Sequence, residues 1–101
     1  MARFTLTEEA RRDLTEIRDY TSKSWGVRQS QDYLGKLRLT LQNLAKMPDM
    51  GQKSDLQLRA DIHHFPVGSH MIYYLAASDG ILILAVLHQS RIPITQLTKR
   101  L

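Results

Sequence analysis

Residues 81–87, Ile-Leu-Ile-Leu-Ala-Val-Leu, are apolar at every position, and that run limits the possible folds more than any other segment. It is far shorter than the roughly 20 residues a helix needs to cross a bilayer. An alternating strand hides one face, whereas a strand apolar on both faces must be covered on both, as a central strand is. The chain therefore needs a sheet with this segment inside it and helices against at least one side. With 101 residues, 43% hydrophobic and 24% charged, it has the size and composition of one globular domain spanning residues 1–101.

Other strands flank that run. Residues 60–65 and 70–76 read as strands separated by a turn at Pro66-Val67-Gly68, and Ser78-Asp79-Gly80 is a hairpin signal leading into residues 81–88. Near the start, Phe4 and Leu6 alternate with Arg3 and Thr5, the period of a short strand at residues 2–6. Thr7 then supplies an N-cap hydroxyl, with Glu8 and Glu9 in the first turn where the helix dipole favours negative charge.

The helix so started is predicted to run to about Ser24, with Ala10, Leu14, Ile17 and Tyr20 as its apolar stripe. Trp25-Gly26 breaks it, and a second helix follows over 27–46, with Val27, Leu34, Leu37, Leu41, Leu44 and Ala45 turned inward. So short a joint makes the pair an antiparallel hairpin. Gly35 costs that helix about 1 kcal/mol relative to alanine, through either close packing of another backbone or simple tolerance. Pro48 ends the helix. Residues 52–58 read as a polar loop, and Pro93 opens either a last short helix over 94–100 or a tail. The expected class is α+β: an N-terminal strand, an antiparallel helical hairpin and a small antiparallel sheet, in the order βααβββ.

The chain has no cysteine, which removes disulfides and thiolate metal sites and suits a reducing cytoplasm. The first residues carry no secretory pattern, since acidic Glu8 and Glu9 follow a very short apolar run. A net charge of +4 and an isoelectric point near 9.7 favour an acidic partner. The basic residues are dispersed, with no block of roughly five or six like charges, so strong direct nucleic-acid binding is not expected, and neither is membrane association.

Four histidines, His63, His64, His70 and His88, are the chemically versatile groups. Successive strand residues point to opposite faces, so His63 and His64 do not share an ion, and no paired-histidine metal motif occurs. No metal and no cofactor are expected. Arg59, His70, His88 and Arg91 suit either local pairing with carbonyls and carboxylates such as Asp61 or a partner-binding patch. Trp25, Tyr33, Tyr73 and Tyr74 read as core aromatics.

The ordered pieces resemble a known family. TEEARRDLTEIRDYTSKSWG, YLGKLRLTLQNLAKMPDMG, RADIHHFPVGSHMIYY and GILILAVLHQSR together are similar to the ParE branch of the ParE/RelE toxin superfamily. The specific signs are the Trp25-Gly26 joint, the Met47-Pro48-x-x-Gly51 helix end, the Phe65-Pro66-Val67-Gly68-x-His70 turn and the final strand closing on Val86-Leu87-His88-x-x-Arg91. The resemblance implies a toxin of a type II toxin–antitoxin module that inhibits DNA gyrase by binding it, without catalysis, and is neutralised by an acidic antitoxin. On that pattern Arg59, His70, His88, Arg91, Lys99 and Arg100 are candidates for gripping the target, and Leu14, Ile17, Leu37 and Leu41 for an antitoxin groove. The alternative is a ribosome-dependent mRNA endoribonuclease of RelE type, with Arg59, His64, His88 and Arg91 supplying base, acid and cation. A third is a fold-mate retained only to bind a partner.

Overall fold

A computed structural model describes residues 2–54 and 61–101. The elements run β1 (Arg3–Leu6), α1 (Glu8–Trp25), α2 (Val27–Lys46), a 3-10 turn (Pro48–Met50), β2 (Gln52–Lys53), β3 (His63–Val67), β4 (His70–Ala77), β5 (Gly80–His88) and α3 (Pro93–Arg100). The five strands form one sheet in the order β1-β5-β4-β3-β2. All pairings are antiparallel except that of β1, which lies parallel to β5 with Phe4 opposite Ile81 and Leu6 opposite Ile83. The α+β class and the central place of β5 agree with the expectation.

Local chemistry sets the helix ends. The Thr7 hydroxyl accepts the Ala10 N–H at 3.1 Å and caps α1. Gly26 holds φ at +93° between the helices, a backbone state in which a side chain would be strained. At the end of α2, the Tyr74 hydroxyl donates to the Pro48 carbonyl at 2.6 Å and accepts the Gly51 N–H at 3.0 Å. A Cβ on Gly51 would strike that phenol, which explains the Met-Pro-x-x-Gly spacing.

The hairpin covers one sheet face through Ala10, Ile17, Leu37, Leu41, Leu44, Ile72, Tyr74, Ile81, Ile83 and Val86. Leu97 of α3 packs on the other face with Ile62, Tyr73, Leu75, Leu84, Ala85 and Leu87. The split along β5 changes phase between Ile83 and Val86. Tyr73 pairs with Ala85 but Tyr74 with Ile83, so Leu84 is an inserted bulge residue, and Leu84 and Ala85 both join the second face.

Three expectations change, and one open alternative is resolved. Tyr20 is 67% exposed and Val27 63% exposed, while Asp13, Thr21 and Ser30 are buried in their stead. The reason is pairing: Thr21 and Ser30 hydroxyls meet at 2.6 Å across the hairpin, so small polar groups sit there at no loss of hydrogen bonds. Trp25, read as core, is 42% exposed. Gln52 and Lys53, expected in a loop, pair with His64 and His63. Finally, the C-terminal segment is helical, Pro93 serving as its first residue and Leu97 as its anchor. Gly35 has open space around it, so tolerance is the applicable reading. Residues 55–58 of the expected loop and residue 60 lie outside the described residues.

Candidate functional site

Where β1 stops and β5 continues, α1, the end of β5 and α3 enclose a cleft of about 700 Å³. It is lined by Val86, Leu87 and His88 from β5, by Arg12, Glu16 and Tyr20 from α1, and by Arg91 and Arg100 from the C-terminal segment. One end is closed by a clamp. Arg100 donates to both carboxylate oxygens of Asp13, at 2.7 and 2.9 Å, and to the Leu84 carbonyl at 3.1 Å. Asp13 also accepts the Val86 N–H at 3.0 Å. The pair thus satisfies the backbone groups left over by the bulge, and hydrogen bonding to Asp13 raises the guanidinium pKa further against the opposing effect of burial.

The opposite end holds the histidine pair. His70 and His88 are cross-strand neighbours with nearly perpendicular rings 5.4 Å apart. The Tyr33 hydroxyl lies 2.6 Å from His70 Nδ1, accepts the Ser69 N–H at 3.2 Å and reaches the Val67 carbonyl at 3.1 Å. With one proton to give, the phenol donates either to Val67 or to His70, in the latter case fixing the proton of the neutral ring on Nε2. Burial, and secondarily His88, lower the His70 pKa below its ordinary 6.5. His88 is exposed; its Nδ1 accepts the Ser90 N–H at 3.1 Å and lies 2.8 Å from the Ser90 hydroxyl, so the neutral ring carries its proton on Nε2.

The structure therefore brings His70, His88, Arg91 and Arg100 to one cleft. Lys99 is exposed on α3 outside its lining, and Arg59 lies outside the described residues. His63 and His64 are elsewhere, bonded through Nδ1 to the Asp61 carbonyl at 3.0 Å and the Ser54 hydroxyl at 2.7 Å. Among the described residues no three acidic or histidine side chains gather in a way that could hold a metal ion. Nor is any helix there long and apolar enough to cross a membrane.

The candidates for the antitoxin groove lie mostly inside the core. Leu37 and Leu41 are 1% exposed and Ile17 6%, and partly buried Leu14 packs against the same cluster; these side chains join hairpin to sheet. Residues that sequence reasoning missed are Asp13, Tyr33 as the support of His70, and Tyr20 and Trp25 as exposed aromatics on the cleft. Asp13 had a detectable signal, since it falls on the inward stripe with Ala10 and Ile17.

Comparison with known proteins agrees with this architecture. The chain is 38% identical to "Toxin ParE1" of Caulobacter vibrioides over 90 residues, covering 89% of this chain and 92% of that protein. It is 31% identical to "Toxin ParE" of Escherichia coli over 106 aligned positions, covering 100% and 98%. The fold is shared with a solved structure titled "Chromosomal ParDE TA system from P. aeruginosa", with a TM-score of 0.74 at 15% identity over 87% of this chain and 96% of that one. Residues 4–93 match the family described as the ParE toxin of the type II toxin-antitoxin system, parDE, and the chain belongs to that family.

Proposed function

We propose that this protein arrests growth by binding DNA gyrase, performs no chemistry of its own, and is held inactive by an acidic antitoxin in a hetero-oligomer. The observation that carries the reading is the family match along residues 4–93, and the cleft described above supports it. Exposed His88 and the exposed cations Arg91 and Lys99 offer a basic surface at the end of β5, while Arg100 is committed to Asp13. The grip on gyrase is assigned to the first three, with Arg100 and His70 holding the surface in shape.

The ribonuclease alternative needs acid, base and cation around one phosphate. His64 pairs with Tyr73 and is bonded to Ser54, whereas His88 pairs with His70, so β4 and three residues along it separate the two imidazoles. No observation favours that reading.

A supercoiling assay with purified gyrase tests the proposal. Excess wild-type protein is expected to stop supercoiling, and Arg91→Glu with Lys99→Ala to require about tenfold more protein, equivalent to about 1.4 kcal/mol of binding. Full supercoiling at saturating wild-type protein sinks it, and codon-phased cuts in translated mRNA that vanish in His88→Ala would put the ribonuclease in its place.

A further inference from the structure

Two histidines face each other across the end of the β4–β5 pair. Gln89 N–H bonds the Ser69 carbonyl at 2.9 Å, so the next pair inward, His70 and His88, is a non-hydrogen-bonded one, in which the side chains of the two strands stand closer. Their rings meet nearly at right angles with centres 5.4 Å apart. With a zinc–nitrogen bond of about 2.0–2.1 Å in the plane of each ring and a tetrahedral angle at the metal, two imidazoles on one ion have centres roughly 5.2 Å apart. Edge-to-face packing of rings spans about 4.5–7 Å, so the spacing permits an ion without requiring one. The ring nitrogens separate the two readings.

Each ring is anchored through Nδ1. For His70 the partner is the Tyr33 hydroxyl at 2.6 Å, which also accepts the Ser69 N–H at 3.2 Å and lies 3.1 Å from the Val67 carbonyl. When the phenol donates to Val67, His70 Nδ1–H donates to the phenol oxygen and the lone pair of the ring is left on Nε2. Among the described residues no hydrogen bond reaches His70 Nε2. None of their buried side-chain nitrogen or oxygen atoms lacks a partner, so this nitrogen is accessible, and His70 lines the cleft.

For His88 the anchor is Ser90, whose hydroxyl lies 2.8 Å from Nδ1 and whose N–H donates to it at 3.1 Å. Ligation through Nε2 moves the ring proton to Nδ1, where the Ser90 hydroxyl accepts it, and the exposed Ser90 N–H turns to water. Metal-bound histidines nearly always have their second ring nitrogen engaged in this way, which fixes the ring and raises its basicity. Tyr33 and Ser90 supply those engagements. The other two histidines differ: His63 and His64 face Tyr74 and Tyr73 across the strands, so neither has an imidazole opposite it. Charge in the cleft is balanced, Glu9, Asp13 and Glu16 against Arg12, Arg91 and Arg100.

We propose that His70 and His88 form a site for a transition-metal dication of the zinc class, bound through both Nε2 atoms with water in the remaining positions. Imidazole nitrogen is a ligand of choice for such ions, and two protein ligands, fewer than the three or four of dedicated zinc centres, make the site weak and open. The ion adds positive charge beside exposed Arg91. The inference stands apart from the gyrase reading and does not depend on it.

The test titrates metal-free, full-length protein with zinc sulfate at neutral pH, followed by calorimetry and by long-range proton–nitrogen spectra of the histidine rings. One zinc per chain is expected, half-saturating below about 100 μM, with His70 and His88 both in the Nδ1–H tautomer and their Nε2 signals shifted. His88→Asn, at an exposed position, and His70→Asn are each expected to weaken binding about tenfold or more. His63→Asn is the control and keeps wild-type affinity. If His70→Asn does not fold, His88→Asn and the ring signals of the wild-type protein decide. No binding up to about 1 mM zinc overturns the inference, as does wild-type affinity in His88→Asn. Weakened binding in His63→Asn, one ion per two chains, or a His88 ring that keeps its Nε2 proton at saturating zinc overturns it too.

Discussion

Asp13 shows how one side chain can organise three elements. It sits on α1, accepts the N–H of Val86 in β5 and takes the bidentate fork of Arg100 from α3, with side-chain exposures of 9% for Asp13 and 15% for Arg100. Removing one partner of a buried pair leaves an uncompensated charge, at a cost of about 3–5 kcal/mol. Asp13→Ala is therefore expected to lower unfolding stability by roughly 3 kcal/mol in urea titration, and Asp13→Leu with Arg100→Met to recover only the part due to the unpaired charge, since the Val86 N–H loses its acceptor in both. A loss under about 1 kcal/mol in the single variant would mean the pair is solvated. Hydropathy could not reveal the role of Asp13, because a carboxylate on an apolar stripe scores as a surface residue until its cation arrives from the far end of the chain.

His70 predicts a pH response at the same scale. Its folded pKa lies below the 6.5 of the free side chain, through burial first and the neighbouring His88 second. Below 6.5 the unfolded chain binds the proton that the folded one refuses, so stability is full above that pH and falls as the medium is acidified toward the lowered folded value. Melting temperature should accordingly drop between pH 6.5 and more acid solution, and His70→Asn should flatten that part of the curve. An unchanged slope in the variant would remove His70 as the cause.

Among the elements, helix boundaries were the most legible part of the sequence, because capping and breaking are local. Thr7, Gly26 and Pro48 each act within a few residues of themselves. The rotational phase of α1 was not legible, since Thr21 and Ser30 become suitable for burial only through each other. The bulge in β5 was hidden for a different reason: in a run apolar at every position there is no alternation for an extra residue to interrupt. β2, two residues long, is too short to show any period. Glycines provide the test at this scale. Gly26→Ala puts a side chain at φ +93° and is expected to cost about 1–3 kcal/mol, whereas Gly35→Ala, mid-helix with open space, should gain about 1 kcal/mol. Thermal melts of the two variants moving in the same direction would contradict both assignments.

At the level of the whole molecule, the sequence contained the class and the element order but not the cleft. The cleft gathers α1, the start and end of the β4–β5 pair and the C-terminal helix, and a strand pattern says nothing about where a neighbouring strand runs out. His70, His88, Arg91 and Arg100 converge because β5 outlasts β1 and α3 folds back along it. The proposed gyrase grip rests on that mismatch in length. The sheet faces are likewise covered by different means, one by the hairpin and the other through Leu97, so α3 contributes to the core as well as to the surface.

The parallel partnership of β1 with β5 also has a bearing on synthesis. Residues 3–6 have no lateral neighbour until β5 emerges, some tens of residues later, and such distant pairing is intrinsically slow. A chain interrupted anywhere before Gly80 lacks the ribbon onto which residues 3–6 must zip, so a half-made copy has neither its finished sheet nor the groove beside it.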